Sequence, residues 1–155
     1  MRFDIVTIFP EFFTSFLKES LIARAQKKKL IKIRVHDLRN WTKDRRKTVD
    51  DRPFGGGIGM VVKVEPVFRA VSTLKSKVTG READSPKGCS QKSKVILFTP
   101  RGEKFNQQMA YKFSKLDKII MICGRYEGVD ERVAKYIADM ELSIGDYDLM
   151  GGELP

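Results

Sequence analysis

Short apolar runs alternate with amphipathic stretches along most of this chain. Phe3 to Phe9 reads as a buried strand, Glu11 to Phe16 as a short helix behind Pro10, and Ser20 to Lys29 as a second helix with Ser20 as its N-cap. Ile31, Ile33 and Val35 alternate with Lys32, Arg34 and His36, the period of a half-exposed strand. Further on, Met60 to Val64 is a strand candidate and Glu65 to Lys75 a helix opened by Glu65-Pro66. Val95 to Thr99 follows as a strand, Asn106 to Ser114 as a helix, Ile119 to Cys123 as a strand and Asp130 to Ala138 as a helix. Leu142 to Ile144 makes a last short strand. Strands and helices taking turns predict an α/β fold with a mostly parallel sheet.

Two stretches break the pattern. Residues 40 to 59 are polar, charged and glycine-rich, and a connection of that length is usually functional or disordered. Lys75 to Lys94 is rich in Ser, Lys and Gly without periodicity, so 76–93 is expected to be a flexible surface loop. With 155 residues, 41% of them hydrophobic, the rest forms one domain around one core. Its apolar runs are too short to span a bilayer, and Met1 to Phe9 lacks the features of a signal peptide. The expected location is the cytoplasm, with no membrane partner. Cys89 and Cys123 show no metal or redox spacing, and Cys123 reads as core packing.

Charge divides the chain. Residues 1–60 carry 14 Lys and Arg against 7 Asp and Glu, residues 61–115 carry 12 against 4, and residues 116–155 carry 4 against 9. The net charges are +7, +8 and −5. A basic body suits phosphate contacts, or simply solvates helix faces, whereas the acidic end needs another explanation.

Parallel α/β sheets bind ligands beyond the carboxyl ends of their strands, where backbone N–H groups converge. Thr99 to Gly102, Gly124 to Gly128 and Ile144 to Gly152 all fall at such ends, and three turns meeting at one edge make one pocket. Glycines 124, 128, 145, 151 and 152 open the backbone to a ligand, and Tyr126, Tyr147 and Leu149 offer surfaces for a flat heterocycle. Gly55, Gly56, Gly57 and Gly59 match neither a P-loop nor GxGxxG, which argues against ATP or NAD bound in the usual way. His36, the only histidine, lies in a strand pattern and no metal-ligand spacing is present.

DRRKTVDDRPFGGGIGM at Asp44 to Met60, TPRG at Thr99 to Gly102, CGRYEGVDERV at Cys123 to Val133 and SIGDYDLMGGELP at Ser143 to Pro155 resemble the bacterial tRNA (guanine-N1)-methyltransferases, the TrmD family of the SPOUT superfamily. The opening FDIVTIFPEFF is similar to that family's start as well. The resemblance implies a SPOUT-type α/β fold, a mostly parallel sheet flanked by helices with a trefoil knot that binds S-adenosylmethionine. It also implies transfer of the methyl group to N1 of the guanosine immediately 3′ of the anticodon, by a homodimer with tRNA across both subunits.

On that resemblance the donor site comprises Phe98, Thr99, Pro100, Gly124, Tyr126, Glu127, Ser143, Ile144, Gly145, Asp146, Tyr147, Asp148, Leu149, Gly151 and Gly152. The tRNA side comprises Asp50, Asp51, Arg52, Gly57 and Gly59, with Arg45 and Arg46 on phosphate. Asp51 and Arg52 have a second reading as a pair that holds the loop, and Glu127 a second reading as the cap of the helix near Asp130. Guanine N1 is protonated at neutral pH, so a carboxylate must take its proton. The family places that general base, the closing helix of the knot and a helical tRNA-binding domain beyond GGELP, so no catalytic base is assigned within 1–155. Asp148 and Met150 replace the small or apolar residues usual in that motif, and Asp148 faces either solvent or the donor's positive charge. The alternative function is a non-catalytic RNA-binding or dimerising remnant of the same fold.

Overall fold

A strand early in the sequence lies in the middle of the sheet. In the computed structural model, which describes residues 1–76 and 92–155, β1 (Arg2–Thr7) pairs with β2 (Lys32–Asp37) on one side and with β6 (Lys118–Cys123) on the other. β6 pairs with β5 (Ser93–Lys104), and β5 with β7 (Met140–Ser143). The order is therefore β2-β1-β6-β5-β7 with every pairing parallel, as the alternation of strands and helices implied. A separate antiparallel pair joins β3 (Asp50–Asp51) to β4 (Val61–Val62) at the base of the glycine-rich loop.

Period-two alternation gives each strand two buried faces. Val6, Val95, Leu97, Ile120 and Ile122 pack with Val67, Ala70, Val71 and Leu74 of α2 (Val64–Ser76) and Val133 of α4 (Glu131–Tyr136). On the opposite face, Ile96, Ile119 and Leu142 pack with Met109 of α3 (Gln107–Phe113), and Ile5 and Cys123 with Phe13. Cys123 is core, as read from its position, and burial pushes its thiol up.

Several boundaries differ from the expectation for local reasons. Glu11 to Phe16 is two 3-10 turns, Pro10–Phe13 and Phe16–Lys18, rather than one helix. Ser20 is the first residue of α1 (Ser20–Lys27), with φ of 47°, and Glu19 takes the cap position. Asn106 and Asp130 do cap α3 and α4, accepting from the backbone N–H of Met109 and Arg132. The expected flexible loop over 76–93 falls largely on residues 77–91, which lie outside the described residues; at its edges Ser76 closes α2 and Ser93 opens β5. Among the described residues, no helix is long and apolar enough to cross a membrane.

One charged cluster is sealed inside. Asp4, with no exposed surface, accepts hydrogen bonds from Arg2 Nη2 at 3.0 Å and lies 2.8 Å from His36 Nε2 and 3.2 Å from Lys118 Nζ. Arg2 Nε also comes within 2.8 Å of Asp4 Oδ2, as an ion pair not aligned for a hydrogen bond. Lys118, itself 1% exposed, donates to the carbonyl of Leu74 at 2.6 Å and so ties β6 to the end of α2. Burial alone would raise the Asp4 carboxyl, but His36, Arg2 and the Lys118 charge outweigh it and hold the group well below its ordinary 3.8. For Lys118 burial prevails over Asp4, and the amine sits below its ordinary 10.5.

A carboxyl depressed in the folded state gives stability that is complete above its ordinary value and lost as pH falls through and below it. The contribution of Asp4 is on the order of 2 kcal/mol, and denaturant midpoints should drop steadily below about pH 4. Asp4→Asn should flatten that slope; an acid profile as steep as that of the wild type would remove Asp4 from the account.

Candidate functional site

The ends of β5, β6 and β7 diverge around a cavity of about 550 Å³. β5 makes the first wall by leaving register with β7: Phe98 and Glu103 both pair with Leu142, so Thr99 to Gly102 bulge out between them. Gly102 lies hard against β7, where an added Cβ would sit 2.5 Å from Leu142 N and 2.6 Å from the Glu141 carbonyl carbon. The turn after β6 makes the second wall, with Tyr126 and Gly128 at positive φ. The segment after β7 makes the third, held by Gly152 N–H donating to Gly124 O at 2.9 Å and by the hydroxyl of Ser143 donating to Gly145 O at 2.9 Å.

Phe98, Thr99, Pro100, Gly124, Tyr126, Glu127, Ser143, Ile144, Tyr147, Asp148, Leu149, Gly151 and Gly152 all line this cavity. Gly145 and Asp146 stand behind the wall instead. A Cβ on Gly145 would strike the ring of Tyr147, and Asp146 pairs with Lys104 at 2.6 Å. Asp148 is exposed and also lines the cavity, which answers where that unusual carboxylate points.

The lining charges are unevenly satisfied. Arg101 bridges Glu141 and Glu131 at 2.8 Å each, and these carboxylates raise its guanidinium. Arg125 Nε pairs with Glu153 at 2.9 Å, Arg125 donates to Met150 O at 3.1 Å, and its guanidinium lies 4.8 Å above the Phe9 ring. Glu153 is buried and also accepts from Thr7 Oγ1 at 2.8 Å, which ties the last residues to β1. Both guanidiniums are therefore occupied, while the carboxylates of Glu127 and Asp148 form no ion pair among the described residues. The acidic end of the sequence supplies an electron-rich lining suited to a cationic ligand.

The glycine-rich loop docks against this wall. Glu127 N–H donates to Met60 O at 3.0 Å, Val62 N–H to Gly128 O and Asp130 N–H to Val62 O at 3.0 Å each. Gly59, at φ 100°, leaves just the room that the Glu127 side chain fills. Burial, then a hydrogen bond and charge from Asp50, push the Tyr126 hydroxyl up. Gly59 of the tRNA-side set thus touches Glu127 of the donor set, and Asp50 acts electrostatically on Tyr126.

The remaining members of that set lie farther out. Asp51 meets Lys63 at 3.4 Å and accepts from the backbone N–H of Arg52 at 2.9 Å; these contacts hold its carboxyl below the ordinary range. In the alternative reading, Asp51 and Arg52 pair; the structure shows a backbone contact between them and Lys63 as the ionic partner of Asp51. Gly57 lies at the exposed tip, and Arg45 and Arg46 are exposed on the stretch before β3. Glu127 does not cap α4, since Asp130 takes that place.

Arg101 and Arg125 lie in the turns expected to form the pocket but were not named for the donor site, and sequence reasoning placed neither Glu131 nor Glu141 at the cavity, nor Glu153 in its support. Arg125 lies between two expected residues, which was the available signal. The Arg101 bridge needs β5 and β7 side by side.

Comparison with known proteins bears on this geometry. Residues 1–155 match the family model for tRNA (Guanine-1)-methyltransferase TrmD. The chain is 48% identical over 154 residues to the tRNA (guanine-N(1)-)-methyltransferase of Koribacter versatilis (strain Ellin345), covering 99% of this chain and 55% of that protein. It is 50% identical over 155 residues to the corresponding protein of Dictyoglomus turgidum (strain DSM 6724 / Z-1310), covering 100% of this chain and 57% of that one. The crystal structure of tRNA (m1G37) methyltransferase from Aquifex aeolicus superimposes with a TM-score of 0.82 at 39% identity, covering 99% of this chain and 64% of that chain. The chain thus spans little more than half the length of the curated relatives it matches.

Proposed function

This chain belongs to the tRNA (guanine-1)-methyltransferase family, and from that premise we propose that its cavity binds S-adenosylmethionine for methyl transfer to N1 of the guanosine immediately 3′ of the anticodon. The observation that carries the reading is the convergence of three strand-end turns on one cavity whose two unpaired carboxylates, Glu127 and Asp148, suit a ligand bearing sulfonium and ammonium charges. The volume lies in the usual range for a cofactor of this size.

When bound, the donor supplies an electrophilic methyl group; everything else falls to side chains and backbone. Glu127 and Asp148 set a negative potential, and the Tyr147 ring together with Leu149 gives a flat heterocycle an apolar surface. Asp50, whose charge is felt by Tyr126, and Gly59, seated on Glu127, bring the guanosine-side loop to the rim of the donor cavity. Removal of the N1 proton is assigned to a residue outside 1–155, following the family resemblance.

Arg45 and Arg46 are offered to tRNA phosphates, and the exposed rings of Phe9, Phe12 and Phe16 give a second copy of the chain an apolar surface for the homodimer. The trefoil knot and a cytoplasmic setting belong to the same proposal.

Titration calorimetry tests the donor site directly. The wild-type chain should bind S-adenosylmethionine saturably, and Glu127→Gln should weaken it roughly tenfold through loss of a charged hydrogen-bond acceptor. A cooperatively folded wild type with no binding would overturn the donor assignment, and an unchanged Kd in the variant would remove Glu127 from it.

A further inference from the structure

At the tip of the glycine-rich loop, Phe54 is 94% exposed. A Phe left so bare needs a reason, and the local backbone shows that it is presented rather than merely uncovered. Gly56 N–H donates to Pro53 O at 3.1 Å and closes a turn with Phe54 at its corner, while Gly56 and Gly57 take φ of 77° and 115°. Neither glycine gives the ring a neighbouring side chain to fold against.

A cation stands within cation–π range of the ring. The Arg132 guanidinium lies over it, 5.7 Å from the centroid. Arg132 is fixed there by Asp130, whose Oδ1 accepts from Nε at 2.9 Å and whose Oδ2 accepts from Nη2 at 2.7 Å. Asp130 is in turn held by its backbone N–H on Val62 O. The cation near the ring is therefore anchored to β4 and to the first turn of α4. Gly128, Val129 and Glu131, the neighbours of this anchor, line the cavity.

We propose that the outer face of Phe54, backed by Arg132, is a stacking platform for an unpaired nucleobase of the RNA substrate adjacent to the base entering the cavity. The proposal rests on the reading of this chain as an RNA-modifying enzyme. Ile58 on the same loop is 97% exposed as well, but the basic approach to Phe54 suits an RNA base and its phosphates better than an apolar protein partner. Lys43, Arg45, Arg46, Lys47 and Arg52 precede it, while two of the three intervening carboxylates are engaged, Asp44 by Thr48 and Asp51 by Lys63. Stacking accepts any base, because every base has a π-face, and cationic backing strengthens it.

The test uses the full chain and an anticodon stem-loop RNA carrying 2-aminopurine next to the target guanosine. In the wild type, binding should quench the probe through stacking. Phe54→Ala should weaken RNA binding about 5- to 100-fold and lose that quench, with S-adenosylmethionine affinity unchanged. Phe54→Tyr should restore both RNA signals, and Phe54→Leu neither. Equal RNA affinity and quench in Phe54→Ala, or full rescue by Leu, would overturn the platform. A wild type that binds the donor but not the RNA would overturn the platform while leaving the cavity reading intact. RNA binding that depends on Phe54 without donor binding would support the platform and refute the donor site.

Discussion

A single methyl group at Gly102 should cost at least about 3 kcal/mol of stability and abolish donor binding with it. Added to Gly102, a Cβ meets backbone atoms of Leu142 and Glu141 at 2.5 and 2.6 Å, and main chain in a paired strand has no rotamer to change. Relief requires β5 and β7 to part at the point where Glu103 and Phe98 share Leu142, which is the floor of the cavity. Gly55→Ala is the matched control, since nothing lies within 4 Å of its added Cβ. Thermal melts of the two variants should separate clearly. A Gly102→Ala melt coinciding with that of the wild type would mean that the bulge is not held as described.

Arg125→Met should be nearly as damaging, by about 3 to 5 kcal/mol, for an electrostatic reason. Glu153 is 7% exposed and would keep only the Thr7 hydroxyl after losing its guanidinium. A buried carboxylate without a counter-charge is far costlier than a missing pair. The double variant Arg125→Met/Glu153→Met should therefore recover most of the loss in a denaturant titration. Donor affinity should stay low in both, since Arg125 lines the cavity and holds Met150 O. Additive losses in the double variant would show that packing, not charge, accounts for the effect.

Much of the site was legible because glycines next to aromatic and charged residues fall at successive strand ends, and a parallel sheet brings such ends together. Thirteen of the fifteen donor-site positions implied by the family resemblance do line the cavity, most of them in those turns. The bulge was not legible: Thr99-Pro100 reads as the end of a strand, and β5 resumes at Glu103 only because β7 accepts it there. The place of Glu127 was open for a similar reason. Its sequence allows a helix cap, and the choice is made by Gly59, a residue 68 positions earlier that leaves space beside it. Gly145 was read as opening the backbone to a ligand, and in the structure its missing side chain makes room for the Tyr147 ring. In the fold itself, period-two and helical patterns located the elements, while Glu19 and Ser20 exchanged roles at a cap that no side-chain hydrogen bond defines.

The central position of β1 also sets a timetable for the nascent chain. A ribosome releases Arg2–Thr7 ahead of both of its sheet partners, and β2 can join it early, but its other neighbour begins at Lys118. At ordinary elongation speeds the gap is roughly ten seconds, during which one edge of an apolar strand is unpaired. The buried Asp4 on that strand lacks Lys118 for the same interval. A charge in the middle of β1 discourages premature association with other nascent chains until its own partner is made.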